Sequence, residues 1–241
     1  MKYELVKELS IEYEGKNLFR IRALKDFGNV KSGDLGGWIE EETNLSQSGD
    51  CWVGGNSKVL TNSIVRDNAK VFGNAVISIN SVVRDNAVVQ DNVKISNASV
   101  VRDNAVVSEN ASISDKSVVR DNAKVSGKAS VKHTSVAKGK AVITNNAVVS
   151  NNSIVKDSGK ILNNARIARS EVMEMAEVIS DAIVHNSTIK GEARISGSAF
   201  ISISTIMEDA EIMDDATVEF SQIGGGVRIS NGTLCNAHIN Y

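Results

Sequence analysis

Three histidines are the residues of this chain best suited to acid–base chemistry, and they stand at His133, His185 and His238. A histidine in a cleft can act as the general base that takes a proton from an attacking hydroxyl or amine. None of the three has an acidic residue beside it in a distinctive motif that would orient the imidazole. The sequence therefore predicts no catalytic residue.

Two cysteines, Cys51 and Cys235, are the other candidates for chemistry. They lie near opposite ends of the chain and show no ligand spacing with the histidines, whereas structural zinc sites use closely spaced cysteines and histidines. The sequence predicts no metal site, no cofactor, and two reduced thiols in a cytoplasmic protein.

A repeated phrase, Val-Arg-Asp-Asn-Ala, places charged residues in two ladders at a step of 18 residues (84 − 66, 102 − 84). The ladders consist of Arg66, Arg84, Arg102 and Arg120, and of Asp67, Asp85, Asp103 and Asp121. If the repeats stack about 5 Å apart, each pair of like charges costs on the order of 1 kcal/mol, which the opposite ladder offsets. Two interpretations stay open: a self-neutralising surface, or recognition of an acidic partner surface.

A finer period of six residues predicts the elements that hold these side chains. An aliphatic residue is followed four positions later by a small one, as at Val65 and Ala69 or Val83 and Ala87. Six residues fit a short strand with two inward side chains and a corner, and three such sides close a triangular coil. The predicted fold class is all-β: a left-handed parallel β-helix of about ten coils of 17–18 residues, from Val53 to Ile239.

Asparagine recurs three positions after the aliphatic residue, and we predict that it forms the corners. Asparagine tolerates the left-handed backbone conformation better than other non-glycine residues. These residues are Asn68, Asn74, Asn80, Asn86, Asn92, Asn104, Asn110, Asn122, Asn146, Asn152 and Asn164. After Ile167 the steps run mostly six, six, five, which predicts that the coils shorten to 17 residues by trimming the same corner each time.

The N-terminal stretch predicts a separate unit, a small β-hairpin cap over residues 1–44, with the β-helix over 45–241. Tyr3 to Leu24 alternates polar and apolar residues around a Glu14-Gly15-Lys16-Asn17 turn, a pattern typical of a hairpin. A cap is expected because a terminal repeat otherwise exposes an apolar cross-section and unpaired strand edges.

One outward row is uniformly apolar and β-branched: Ile64, Val82, Val100, Val118, Val136 and Ile154. The corresponding rows on the other two sides are mixed, and this row turns polar in the 17-residue coils. β-Propensity alone is one explanation. The other is an interface, rimmed by the arginine and aspartate ladders, that binds a second copy as a dimer or trimer, or a host protein.

Charge and hydropathy limit the partners. A net charge of −2 gives no electrostatic case for nucleic acid or an anionic membrane. The first residues carry charges and no hydrophobic signal region, and no apolar run reaches membrane-spanning length. We expect a cytoplasmic protein that binds neither nucleic acid nor membrane.

Residues 20–53, RIRALKDFGNVKSGDLGGWIEEETNLSQSGDCWV, together with the repeats behind them, resemble the YdcK-like hexapeptide-repeat proteins of bacteria, phages and prophages. The resemblance implies phage or prophage origin and action in the host cytoplasm. Members of that group are often labelled transferases by analogy with other left-handed β-helices, which is a weak warrant for function.

The sequence favours a non-catalytic protein-binding or scaffold protein that presents a rigid face to itself or to a host protein, with an anti-defence inhibitor as one form. The alternative is a CoA-dependent acyltransferase of the hexapeptide-repeat type. Such enzymes generally place a catalytic histidine between subunits of a trimer and tend to carry loop insertions and a Gly-Asn-Pro-Ala phrase. This chain has no proline and no sizeable loop.

Overall fold

A computed structural model describes residues 1–240 as a triangular column whose three faces are parallel β-sheets. Each short strand pairs in parallel with the strand one coil before it and one coil after it. Two of the sheets are eleven strands deep. The left-handed parallel β-helix is therefore confirmed, with eleven coils rather than ten and a length of about 48 Å at about 4.8 Å per coil.

One of the three faces is called the cap face. The cap face also contains the N-terminal strands β1 (Tyr3–Tyr13), β2 (Lys16–Ala23) and β3 (Leu35–Ile39). Its later strands are Lys58–Val59, Val76–Ile77, Lys94–Ile95, Ser112–Ile113, Ser130–Val131, Val148–Ser150, Arg166–Ala168, Ile183–His185, Phe200–Ser202, Thr217–Glu219 and Thr233–Cys235. A single 3-10 turn, Glu42–Asn44, follows β3.

The valine face carries the outward apolar row in its first six strands. Its strands are Ile64–Val65, Val82–Val83, Val100–Val101, Val118–Val119, Val136–Ala137, Ile154–Val155, Glu171–Val172, Thr188–Ile189, Thr205–Ile206, Gln222–Gly224 and His238–Asn240. The strands of the third face are Trp52–Val53, Lys70–Val71, Val88–Val89, Val106–Val107, Lys124–Val125, Val142–Ile143, Lys160–Ile161, Glu177–Val178, Arg194–Ile195, Glu211–Ile212 and Arg228–Ile229.

The core is a column of aliphatic and small side chains. In each two-residue strand the first side chain points outward and the second inward, so Val100 is half-buried while Val101 is fully buried. Four residues after the inward valine comes a buried small residue such as Ala105. Burying one such aliphatic side chain stabilises the fold by about 1.5–3 kcal/mol, repeated at every side of every coil.

The corners differ from the prediction in one respect. At most of them the left-handed residue lies two positions after the inward aliphatic residue, as at Asp103 (φ 59) and Glu109 (φ 62). Asn104, one position later, does not have a positive φ. Its side chain instead accepts a hydrogen bond from Asn86 at 3.2 Å and donates one to Asn122 at 3.4 Å. Aspartate also tolerates the left-handed region, because its short polar side chain bonds locally.

The corner where the chain passes from the cap face to the valine face is called the seam. In the 18-residue coils the seam has two left-handed residues, such as Asn151 and Asn152 (φ 56 and 62). From Arg169 onward it has one, and the adjoining cap-face strands lengthen to three residues. The prediction that the 17-residue coils trim the same corner is confirmed.

The N-terminal hairpin extends the cap face beyond the first coil. β1 pairs antiparallel with β2, β2 pairs antiparallel with β3, and β3 pairs in parallel with Lys58–Val59. The predicted hairpin is therefore confirmed, while the division of the chain at residue 44 stays a prediction. Across residues 1–240, no helix is long and apolar enough to cross a bilayer.

Candidate functional site

His133 lies at the seam with a carboxylate directly beside it. It is the first left-handed residue of its corner (φ 53), and its side chain is 52% exposed. Its Nε2 lies 3.6 Å from Oδ2 of Asp115, which occupies the same corner position one coil earlier. That distance exceeds a hydrogen bond, so the contact between the imidazole and the carboxylate is electrostatic.

Asp115 is itself held in place by neighbours. Nδ2 of Asn97, one further coil back, donates to Oδ1 at 2.8 Å, and Oγ of Ser114 donates to Oδ2 at 2.9 Å. The pKa of Asp115 lies below its ordinary value, chiefly because Asn97 and then Ser114 donate to the carboxylate, with a smaller contribution from His133. The carboxylate is thus charged at neutral pH and is fixed beside the imidazole.

This arrangement corrects the sequence analysis, which found no acidic residue near any histidine. Asp115 is distant from His133 in sequence, but the difference of 18 residues (133 − 115) is one full coil, and Asn97 lies a further 18 before. The 18-residue period is the sequence signal that places Asn97, Asp115 and His133 next to one another. A motif of close neighbours in sequence cannot contain residues that are 18 positions apart.

The other two histidines are not part of the Asn97–Asp115–His133 stack. Among residues 1–240, His133 is the histidine with a carboxylate oxygen within 4.0 Å of its imidazole. His185 ends a cap-face strand and is half-buried, and His238 is exposed in the last coil of the valine face.

A groove follows the seam through the 17-residue coils, with a volume of about 680 Å³. It is lined by the corner residues and the residues just after them: Asn186, Ser187, Thr188, Ile203, Ser204, Thr205, Phe220, Ser221, Gln222, Asn236, Ala237 and His238. We call this set the seam groove. A smaller depression of about 280 Å³ adjoins it and includes Asn152 and Arg169, the point at which the seam loses a residue.

The predicted interface residues are brought together on the valine face. Successive members of the apolar row, such as Val82, Val100 and Val118, pair in register. Beside them each arginine lies 3.4–3.6 Å from the aspartate of its own coil. The aspartates also accept backbone N–H groups of the next coil, as Asp85 does from Asp103 at 3.2 Å. This pairing accounts for the ladders structurally, and whether the face is an interface stays a prediction.

The cysteines lie at opposite ends of the column. Cys51 is buried, and Nζ of the buried Lys2 lies 3.1 Å from its Sγ. Burial raises the pKa of the Cys51 thiol, and Lys2 opposes this shift. Cys235 is exposed in the last coil of the cap face. Within residues 1–240 no three His, Cys, Asp or Glu side chains are grouped to hold a metal ion.

Comparison with known proteins gives one curated relative and a set of solved structures. No family model matches the chain. An uncharacterized acetyltransferase of Escherichia coli (strain K12), YdcK, is 35% identical over 78 residues, which are 29% of this chain and 24% of the relative. The match thus spans about a quarter of that protein. The crystal structure of UDP-N-acetylglucosamine O-acyltransferase from Moraxella catarrhalis is 14% identical, with a TM-score of 0.26, and covers 84% of this chain and 71% of that one.

The relative named an acetyltransferase contradicts the prediction of a non-catalytic scaffold or binding protein. The expectation that the chain is not an enzyme is wrong on the same ground, and the acyltransferase alternative is the better supported of the two. The absence of sizeable loops, of proline and of an acidic motif beside any histidine does not exclude an acyltransferase, because likeness to the pattern of other β-helix enzymes is a weak guide to function.

Proposed function

We propose that the protein is a CoA-dependent acyltransferase that moves an acyl group from a thioester to a hydroxyl or amine. The observation that carries the proposal is the imidazole of His133 beside the fixed carboxylate of Asp115. A base oriented by a third group is the arrangement that activates a weak nucleophile. The acetyltransferase name of the relative supports the same reaction class.

In this mechanism the His133 Nε2–H faces Asp115, which leaves Nδ1 free to take the proton of the acceptor hydroxyl or amine. The acceptor oxygen or nitrogen then bonds to the thioester carbonyl carbon, and the carbon–sulfur bond breaks. The proton passes from His133 to the departing thiolate, which leaves as CoA thiol. The negative charge of Asp115 stabilises the imidazolium between the two transfers, and such acid–base catalysis contributes about 10²–10⁴-fold.

Positive charge around His133 supports a phosphate-bearing donor. Residues 116–140 contain seven lysines and arginines and a single acidic residue, Asp121. Lys116 is the second seam residue in the coil of Asp115, and Lys132 directly precedes His133. CoA carries several phosphate charges, and clustered lysines attract such a ligand even though the chain as a whole has a charge of −2.

Self-association through the valine face would complete the surroundings of His133. The apolar row passes through Val118 and Val136, in the two coils whose seam residues are Asp115 and His133. A second copy on that row would form a wall beside the imidazole and exclude water, which strengthens its electrostatic contacts. In this proposal the row Ile64 to Ile154 is the interface, and the arginine and aspartate ladders are its rim. A phage or prophage origin, and a place in the host cytoplasm, accompany the proposal as predictions.

The test is release of CoA thiol from acetyl-CoA in the presence of a panel of amine and hydroxyl acceptors. His133→Ala is expected to lower the rate at least about 10²-fold, and Asp115→Asn by a smaller factor, with acetyl-CoA binding unchanged by titration calorimetry. His185→Ala is the matched control and should keep full activity. Acetyl-CoA that neither binds nor is turned over by the wild type, or a His133→Ala variant as active as the control, would overturn the proposal.

A further inference from the structure

The seam groove contains no acidic or lysine or arginine side chain, although it lies in the most acidic part of the column. Residues 171–219 include eleven aspartates and glutamates and only two basic residues, Lys190 and Arg194. None of those carboxylates lines the groove. Its wall consists of amides, hydroxyls, one imidazole and apolar groups. An anionic ligand would meet the surrounding negative charge, and a cationic ligand would find no partner in the groove.

The serine hydroxyls of the groove are bonded to backbone groups, as Ser187 Oγ is to the carbonyl of His185 at 2.8 Å, whereas three other polar side chains are left unpaired. Elsewhere on the column, asparagines at corners bond in ladders, as Asn145 does to Asn163 at 3.2 Å. Among the described residues, the side chains of Asn186, Thr205 and Gln222 make no internal hydrogen bond. Their donors and acceptors face the groove and are available to a polar ligand.

Two bulky apolar residues occupy corner positions that disfavour them. Ile203 and Phe220 have left-handed backbones (φ 49 and 50) and are 45% and 54% exposed. The same position is asparagine in the coil before and the coil after, at Asn186 and Asn236. A branched or bulky residue in that region strains the backbone, and such residues cluster at ligand sites. Because both side chains are exposed, no burial of apolar surface offsets the backbone strain.

We propose that the seam groove binds a neutral carbohydrate. A sugar ring presents an apolar face of C–H groups and an edge of hydroxyls. Phe220 and Ile203 supply an apolar surface for the first, and Asn186, Thr205 and Gln222 supply amides and hydroxyls for the second. The groove runs along four coils, so it accommodates more than one sugar unit. This inference does not rest on the proposed transferase activity.

The test is titration calorimetry of the full chain with cellohexaose, maltohexaose and chitohexaose, and with hexagalacturonate as an anionic probe. At least one neutral hexasaccharide should bind, and hexagalacturonate should not. Phe220→Asn removes the apolar surface, so affinity should fall about tenfold. The same change relieves the backbone strain, so the melting temperature should stay equal or rise by about 2–4 °C.

Ile79→Asn is the matched control, because Ile79 has the same backbone (φ 53) and 45% exposure at the seam but lies outside the groove. It should gain stability and keep full affinity. Gln222→Ala, at an outward position, should weaken binding about threefold to tenfold without loss of stability. The inference is overturned if no neutral hexasaccharide binds, if hexagalacturonate binds equally well, or if Phe220→Asn keeps wild-type affinity.

Discussion

At the residue scale, the corners show how one backbone conformation selects side chains. The position two after the inward aliphatic residue is left-handed in coil after coil and is filled by aspartate, glutamate, asparagine or glycine at many corners. At Gly127 and Gly139 an added Cβ would lie within 3.0 Å of backbone atoms of the next coil, before any shift. Short, locally bonding or absent side chains are therefore favoured there.

At Glu109 the free-energy cost of the left-handed backbone can be measured separately from side-chain contacts. Its φ is 62, it is exposed, and its carboxylate makes no hydrogen bond among the described residues. Glu109→Val should destabilise the protein by about 1–2 kcal/mol, because a β-branched residue is poorly tolerated in the left-handed region. Chemical denaturation of the two proteins measures the difference.

Glu109→Gly is the control for that measurement, since glycine occupies the same position one coil later, at Gly127 (φ 71). It should be no less stable than the wild type. Equal stability of the valine and glycine variants would show that the corner does not require the left-handed conformation.

At the scale of the element, the seam explains why 17- and 18-residue coils stack in one column. The seam uses two left-handed residues through Asn151 and Asn152 and one from Arg169 onward, and the inward aliphatic positions stay in register on both sides of that change. A corner therefore absorbs one residue without moving a strand. A strand cannot absorb an extra residue, because a shift of one residue turns every inward side chain outward.

Inserting one asparagine after Arg169 should extend the 18-residue stack by one coil and cost little, about 1 kcal/mol or less. Inserting the same residue between Arg166 and Ile167 should cost several kcal/mol, because Ile167 then points outward. Circular dichroism melts of the two insertion variants make the comparison. Equal losses would contradict the assignment of the seam as the adaptable corner.

At the scale of the whole molecule, charge and apolar surface are distributed unevenly along the column. Residues 116–140 are strongly basic, residues 171–219 are strongly acidic, and the uniform apolar row covers only the first six coils of the valine face. An exposed apolar row about 25 Å long approaches the largest patch that a monomer usually leaves uncovered. The basic middle and the acidic C-terminal half of the column are therefore distinct as binding surfaces.

If the row is an interface between copies, changing Val100 and Val118 together to lysine should convert the oligomer to a monomer. Both side chains point outward and are half-buried, so the fold should be retained. Sedimentation velocity on wild type and variant measures the change. Lysine at the equivalent outward positions of the third face, Val88 and Val106, is the control and should leave the assembly unchanged. A monomeric wild type would contradict the proposal.

Periodicity and residue type predict the coil, the three-sided column, the hairpin and the shortened corner without any coordinates. The coil, the column and the shortened corner follow from a period of six, five, 17 or 18 residues, and the hairpin follows from alternating polar and apolar residues around a turn. Val101 is inward and Val100 outward because of that alternation alone.

The repeat period predicts which positions stack across coils, whereas the contacts that their side chains make are seen in the tertiary structure. Asn97, Asp115 and His133 are separated by 18 residues each and come together because parallel stacking places them about 5 Å apart. The seam groove likewise draws on four coils, and its unpaired amides and exposed Phe220 are recognisable only once the neighbours that do not contact them are known. Local sequence patterns specify the conformation of a coil, whereas the chemistry of this column depends on contacts between coils.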